Sequence, residues 1–522
     1  MRLIIIILFL MYCIHSVASE NIHEQSRLYE DSELYILIEA LYLNSSEIPP
    51  GSDLILTYQD AISAIASWKE NHPEPAQKEQ KILTAINRIL EKINNKKQIK
   101  VYLGLDYLHH NIPDCTETNS FYARFRDFDF QTKYYDRGRF FDATLDLPLY
   151  RHLFLSTRTS LRTDWKYFNS RENDFPKNLR EFNPDLNEKS ILNFSLDNIS
   201  IIAGRDRLTL GSGEFSKLLI SSNLPPVDHF HFSINYKENL AFTFITAWMK
   251  NVVIEDERQK IFYAHRLSYR FFNRLYLALT EMQMTNQDLN FKYLNPFMVY
   301  HNEYDYPSQR NILTAADVEA AIGYGTKAYA SFAVDEIDVS ALEENGSKGR
   351  EAWGLILGIK QIQPLGIFNS HWVLEWTKLT KWMYNHGFPW EDYYSLNYVY
   401  EENQDKIEPE EFHRFIGHEL GANAEAVMAR IHWQGLTLLY KYVEQGTIPI
   451  LERAFSDVPD PVKEFNNILG IQLQKHFWAN QIDLKTGYYY TRSINFHQDA
   501  GLNKSYSEFR ISLSYRILNI NW

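Results

Sequence analysis

From about residue 98 onward the chain alternates with a period of two. Phe141, Ala143, Leu145 and Leu147 are separated by Asp142, Thr144 and Asp146. Phe230, Phe232, Ile234 and Tyr236 are separated by His231, Ser233 and Asn235. The same rhythm runs through 155–165, 263–271, 353–359, 372–376, 427–433, 469–473 and 509–517. Successive side chains of a strand point to opposite faces, so each run is a strand with one apolar and one polar face. One irregularity stands near the end. The apolar phase is odd through Ile517 and even at Leu518, Ile520 and Trp522, which a one-residue bulge near Ile517 would reconcile.

Before this region the period is helical. Leu34, Leu37, Ile38 and Leu41 form one stripe, and Pro49, Pro50 and Gly51 end it. Thr57 and Asp60 have the spacing of an N-terminal cap ahead of Ala61, Ile62, Ile65 and Trp68. A third stripe, Ile82, Ile86, Ile89, Leu90 and Ile93, follows Pro73 and Pro75. Residues 20–97 are therefore expected to form a small α-helical bundle. Residues 1–19 hold Arg2, a short apolar run and then Ser16, Ala18 and Ser19, the order of a cleaved secretory signal. Cys13 leaves with that signal, so Cys115 has no partner for a disulfide.

Alternating strands suit either a soluble sheet with one wet face or a membrane barrel with a wet interior. Export, the lack of a second spanning helix and the terminal aromatic Trp522 favour the barrel. The expected fold is an all-β transmembrane barrel of about 18 antiparallel strands over 98–522, preceded by a periplasmic helical bundle. Polar stretches at 169–189, 335–350, 385–418 and 447–465 are assigned to loops. Their acidic clusters are solvated loop charge, a charge screen or a divalent-cation site.

Composition narrows function. Net charge is −13, which excludes a general nucleic-acid binder, and 15% aromatic content excludes a disordered chain. Charge placement says more. The inward phase carries Arg158, Arg162, Lys237, Arg266, Arg270, Lys360, Arg430, Arg510 and Arg516 against Asp142, Asp146, Asp164 and Glu375. Such a basic lumen favours anionic solutes or glycans. Alternatively, these cations pair with carboxylates brought in by loops that fill the interior. Catalytic patterns are lacking: no Gly-x-Ser-x-Gly, His-Glu-x-x-His, phosphate loop or Cys-x-x-Cys occurs. His229 with His231, and His109 with His110, have no evident third ligand, so neither metal nor cofactor is expected.

Three segments taken together resemble the capsule-assembly Wzi family of outer-membrane proteins. They are AGRDRLTLGSGEFSKLLISSNLPP at 203–226, AHRLSYRFF…LTEMQM…YLNPFMVYHN within 264–302, and GHELGANAEAVMAR at 417–430. The chain has Leu210-Gly211-Ser212-Gly213 where the family often has Trp-Gly-x-Gly. The resemblance implies a large barrel with a periplasmic helical bundle and a non-enzymatic lectin that holds capsular polysaccharide at the cell surface. Within the matching segments, Arg205 and Arg207 are candidates to clamp a glycan carboxylate or sulfate, or to tie down a plug loop. Tyr293, Asn295, Tyr300 and Asn302 offer ring faces and amides to sugars, or an interfacial girdle. Arg158, Arg162, Arg266, Arg270 and Arg430 are the basic lumen candidates. The expected partners are extracellular or capsular polysaccharide, outer-membrane lipids, and the periplasmic chaperones and barrel-assembly machinery of an exported barrel. The alternatives are a porin-like channel for small anionic solutes and a lipid-modifying enzyme at the barrel rim.

Overall fold

The computed structural model describes residues 26–521 apart from 52–55, 93–96, 111–138, 163–186, 197, 223, 237–238, 250–259, 286–288, 296–297, 301–309, 338–350, 364–369, 385–398, 404–410, 447–461 and 478–480. Three helices come first: α1 (Glu33–Asn44), α2 (Tyr58–Asn71) and α3 (Gln77–Leu90). The strands follow as β1 (Gln98–His110), β2 (Arg139–Tyr150), β3 (Leu153–Arg162), β4 (Asn187–Leu196), β5 (Ile199–Asp206) and β6 (Val227–Tyr236). Next come β7 (Leu240–Met249), β8 (Lys260–Phe271), β9 (Leu275–Thr285), β10 (Arg310–Gly323), β11 (Thr326–Ile337), β12 (Glu351–Gln363) and β13 (Ser370–Leu379). After a separate hairpin of β14 (Val399–Asn403) and β15 (Glu411–Phe415) come β16 (Ala424–Trp433), β17 (Leu436–Gln445), β18 (Glu464–Phe477), β19 (Ile482–Ile494) and β20 (Lys504–Asn521). The hairpin lies in a stretch the sequence pattern assigns wholly to loop.

Eighteen of these strands form one sheet in which each pairs antiparallel with its neighbours, and β20 returns to pair with β1. Closure removes every sheet edge, the condition for a sheet to sit in lipid. The strand number matches the sequence-based count, and so does the irregularity near the end. Val101 opposes Leu518 and Tyr102 opposes Arg516, which leaves Ile517 as the extra residue of a bulge. The bulge keeps Leu513 and Ile520 on the same, outer face, where both are exposed.

The outer face is apolar. Leu267, Leu279, Leu357, Leu374, Ile431 and Leu469 are bare on it. At the end with short connections, Tyr150, Tyr236, Phe272, Tyr324 and Trp433 are exposed, the placement of an aromatic girdle.

The lumen is stratified, and of the two interiors that the charge pattern left open it is closer to the one filled by protein. Towards the long connections, inward positions are apolar: Met249, Phe262, Met282, Met284, Leu313, Ile356, Met428 and Val443. They pack on Leu208, Leu218, Leu219, Ile220 and Leu224 of the β5–β6 connection, which folds into the barrel. Gly213 permits that fold. Its φ is +140°, and a Cβ there would lie 2.0 Å from the Ser216 carbonyl oxygen.

Towards the short turns the lumen receives the helices. Every residue of α1 from Leu37 to Leu43 is buried, Glu39 included, as expected of a helix that protein surrounds on all sides. Its cluster includes Tyr276, Ala278 and Ile362 of the barrel wall. Ser32 caps α1, and Thr57 with Asp60 forms a capping box on α2. The unit is fastened to the turns: Ile48 N donates to Asn273 O at 2.7 Å, and Gly325 N donates to Leu43 O at 3.2 Å.

Candidate ligand-binding lumen

Between the apolar layer and the helices lies a charged layer. It is assembled from three sources. The wall supplies Lys327 on β11, Lys360 on β12 and Glu319 on β10; α1 supplies Glu39; the β5–β6 connection supplies Glu214. Lys327 Nζ lies 2.6 Å from Glu39 and 3.3 Å from Glu319. Lys360 Nζ lies 2.7 Å from Glu39 and 2.8 Å from Glu214. Arg430 on β16 approaches Glu214 at 3.6 Å. Burial acts to raise the Glu39 carboxyl, but Lys327 and Lys360 outweigh it and hold the group below its ordinary range. Glu214 is likewise held low: burial opposes, and Lys360, Lys327 and Arg430 prevail.

More contacts bind the β5–β6 connection in place. Lys217 Nζ pairs with Glu30 at 2.9 Å and donates to Gly211 O. Ser212 Oγ donates to Glu319 at 2.7 Å. Glu375 of β13 accepts from Glu214 N at 2.8 Å and from Tyr329 Oη at 2.7 Å. Tyr384 Oη donates to Leu218 O at 2.8 Å and accepts from His418 N at 3.0 Å.

Arg205 and Arg207 have matching parity and would share a face if one strand carried both, but the structure separates them. Arg205 follows the outward phase and makes a two-bond pair with Asp228, at 2.9 and 3.0 Å. Arg207, past the end of β5, turns inward to Asp31 at 2.7 Å and lies over the Tyr29 ring. The reason is local: the strand ends at Asp206, so alternation no longer governs the next residue. Asp206 itself accepts from Tyr29 Oη at 2.7 Å. Arg207 thus ties the N-terminal segment to the inward connection.

Tyr293 and Tyr300 are fully buried beside Tyr263 on the outer wall, with Phe244 and Ile312 in the same cluster. Their ring faces are covered by protein rather than open to a sugar. Tyr300 N donates to Glu281 at 2.8 Å, and its ring lies 4.7 Å from that of His265. Asn295 is exposed after a short 3-10 turn, Phe291–Leu294. Asn302 lies outside the described residues, as do Lys237, the leader at 1–19 and the side chain of Arg162.

Of the lumen arginines, Arg158 pairs with Asp142, and Arg266 pairs with Asp317 at 2.5 Å while donating to Thr280. Arg270 donates to Asn239 and to Ile48 O. Their partners come from strands and the helical unit as well as from loops. Arg430 has the most exposed side chain of these four, and its Cζ lies 5.1 Å from the Phe215 ring centre. Sequence reasoning missed Glu39, Glu214, Asp317 and Glu319. A signal existed for the first: Glu39 is a lone acid inside the apolar run of α1.

A cavity of about 1220 Å³ remains between α1, α3, the inward connection and the wall from β16 to β19. Gln434 and Gly435 of the β16–β17 turn line it, as do Arg88 of α3 and Lys92 just past it, so it extends to the short-turn end. Its upper reach meets Glu419 and Lys441, an ion pair of 2.9 Å.

The sequence matches no family profile and no curated protein. Its fold is similar to that of Wzi from Escherichia coli, described as an outer-membrane protein involved in group 1 capsule assembly and a carbohydrate-binding β-barrel. The two share 12% identity over 95% of this chain and 99% of that one, with a TM-score of 0.57. Looser likenesses are to Pseudomonas aeruginosa OpdK with vanillate and to OprD of the same organism. OpdK gives 11% identity, 82% and 99% coverage and a TM-score of 0.44; OprD gives 10%, 81% and 94%, and 0.43.

Proposed function

We propose that this chain is a non-catalytic outer-membrane barrel, exported behind a cleaved signal, that binds or anchors polysaccharide at the cell surface. The observation that carries this reading is the filled lumen. The β5–β6 connection occupies the long-loop half with an apolar core, and Glu214 locks it through Lys360 to Glu39 of the helical unit. Side chains stand where a conduit keeps water, which suits a rigid platform. The bare apolar outer belt supports placement in lipid. The fold shared with a carbohydrate-binding barrel supports the ligand class, and the three Wzi-like segments agree with it.

The test is retention of surface polysaccharide by cells with and without the gene. Loss on deletion, with restoration by the wild-type chain, is expected; unchanged retention would remove this reading. A second reading, a channel for small anionic solutes, draws on the cavity along the β16–β19 wall. Planar-bilayer recordings separate the two: a platform stays silent, and a channel gives stable steps.

A further inference from the structure

The cavity has two unlike sides. On the side of α1 and the inward connection, charges are matched: Glu30, Asp31 and Glu419 meet Lys217, Arg207 and Lys441, and the charged layer takes up the remaining acids except Glu33. On the other side, the wall is bare. Gln472 and Gln474 of β18 and Lys485 of β19 follow the inward phase, since Ile471 and Leu473 face outward, yet they are exposed. Among the described residues, protein fills much of the lumen and leaves this wall uncovered.

The uncovered region carries excess positive charge. Arg88, Lys92 and Lys485 line the cavity with no carboxylate partner among the described residues, and Lys475, of outward phase and over the Phe477 ring, stands at its rim, against Glu33 as the one lining acid without a cation among them. His476 pairs with Asp483 at 3.3 Å near the mouth, so that acid is engaged. Amides and a hydroxyl, from Gln472, Gln474 and Thr437, stand between the cations and Arg430 deeper in. Cations select an anion, and fixed amides with hydroxyls suit a polyhydroxylated ligand. The volume lies somewhat above the range usual for small-molecule sites, room for a few sugar rings.

We propose that this cavity is a second binding site, distinct from the surface of the long-loop end, which takes a short acidic saccharide from the short-turn side of the barrel. The direction of entry rests on the barrel reading alone. In the membrane the short-turn end would face the periplasm, so the barrel would present one carbohydrate site to each side without a through-pore.

The full-length protein in detergent micelles is titrated calorimetrically with trigalacturonate, with neutral maltotriose and with inorganic phosphate. Trigalacturonate is expected to bind, more weakly as salt rises, and maltotriose is expected to bind far less. Lys92→Gln with Lys485→Gln removes two cations that have no ion-pair partner among the described residues and should weaken binding about tenfold. Thr437→Trp sets an indole into the cavity opposite Gln472 and should weaken binding further. Heat-modifiable gel mobility verifies that each variant is folded. Equal affinity for trigalacturonate and maltotriose, unchanged binding in the folded variants, or phosphate binding as tightly as the saccharide would each overturn the proposal. Polysaccharide retention on intact cells should survive the double substitution, so failure here and failure of the surface function are separable.

Discussion

Glu39 of α1 and Glu214 of the β5–β6 connection sit on one ammonium group, Lys360 Nζ, at 2.7 and 2.8 Å. The two acids are far apart in sequence and enter the barrel from opposite ends. Each would be unfavourable alone in a buried setting, and Lys327 completes a second bridge between them, at 2.6 and 3.4 Å. The helical unit and the inward connection are thus held to the wall and to each other by the same two lysines.

Lys360→Met should therefore loosen both plugs at once. Removing one partner of a buried ionic network leaves carboxylates undercompensated, a loss of about 3 kcal/mol. The strand ladder is untouched, so the barrel itself should persist. Limited trypsin digestion should cut α2 and α3 faster in the variant, while the heat-modifiable barrel band stays.

The same network sets a pH response. The folded-state carboxyls of Glu39 and Glu214 lie below their ordinary values. Their contribution is fully present above the unfolded value of about 4.3 and is lost as pH falls through the lower folded values. Hydrogen exchange of α1, taken relative to the intrinsic amide rate at each pH, should be flat from pH 7 to pH 5 and should accelerate only below about pH 4. Acceleration already between pH 7 and pH 5 would contradict this account.

Much of the barrel was legible because one face of each strand must meet lipid. That constraint fixed the phase of Phe230, Leu267, Leu357 and Leu469, and it exposed the extra residue at Ile517. The interior was less legible, since an inward residue can face water, a helix or a folded-in loop. In β7 the inward Ile245 and Ala247 are as apolar as the outward Phe242 and Phe244, so alternation fades where both faces are dry. The connection itself held the missing signal: Leu208, Leu210, Leu218, Leu219, Ile220 and Leu224 are too apolar for a solvated loop. Tyr293 and Tyr300 resembled sugar-facing rings because sequence shows a ring but not what covers it.

Gly213→Ala should disturb the inward connection. The added Cβ would meet the Ser216 carbonyl oxygen at a backbone angle that L side chains rarely adopt. The expected result is a folded barrel whose long-loop half is less well filled. Planar-bilayer recordings should show conductance bursts that the parent protein lacks.

Tyr384→Phe removes one hydroxyl that serves two backbone groups, Leu218 O and His418 N. Both lie in the apolar layer, with little else to replace the lost partner. A cost of about 1–3 kcal/mol is expected for the resulting unsatisfied groups. The thermal transition in detergent should fall, and Tyr384→Leu should fall further because the ring also packs on Phe415.

The outer belt gives the most direct test of the membrane assignment. Leu357 lies in the middle of β12 on the bare apolar face, and Gln472 lies on the lumen side of β18. An arginine at a lipid-facing site near mid-depth costs about 2–4 kcal/mol, and one facing an aqueous lumen costs little. Leu357→Arg should reduce the yield of heat-modifiable barrel and lower its stability on folding into lipid vesicles. Gln472→Arg, in contact with the cavity, should assemble as the parent does. The same penalty at both positions, or none at either, would mean that the apolar face does not meet lipid.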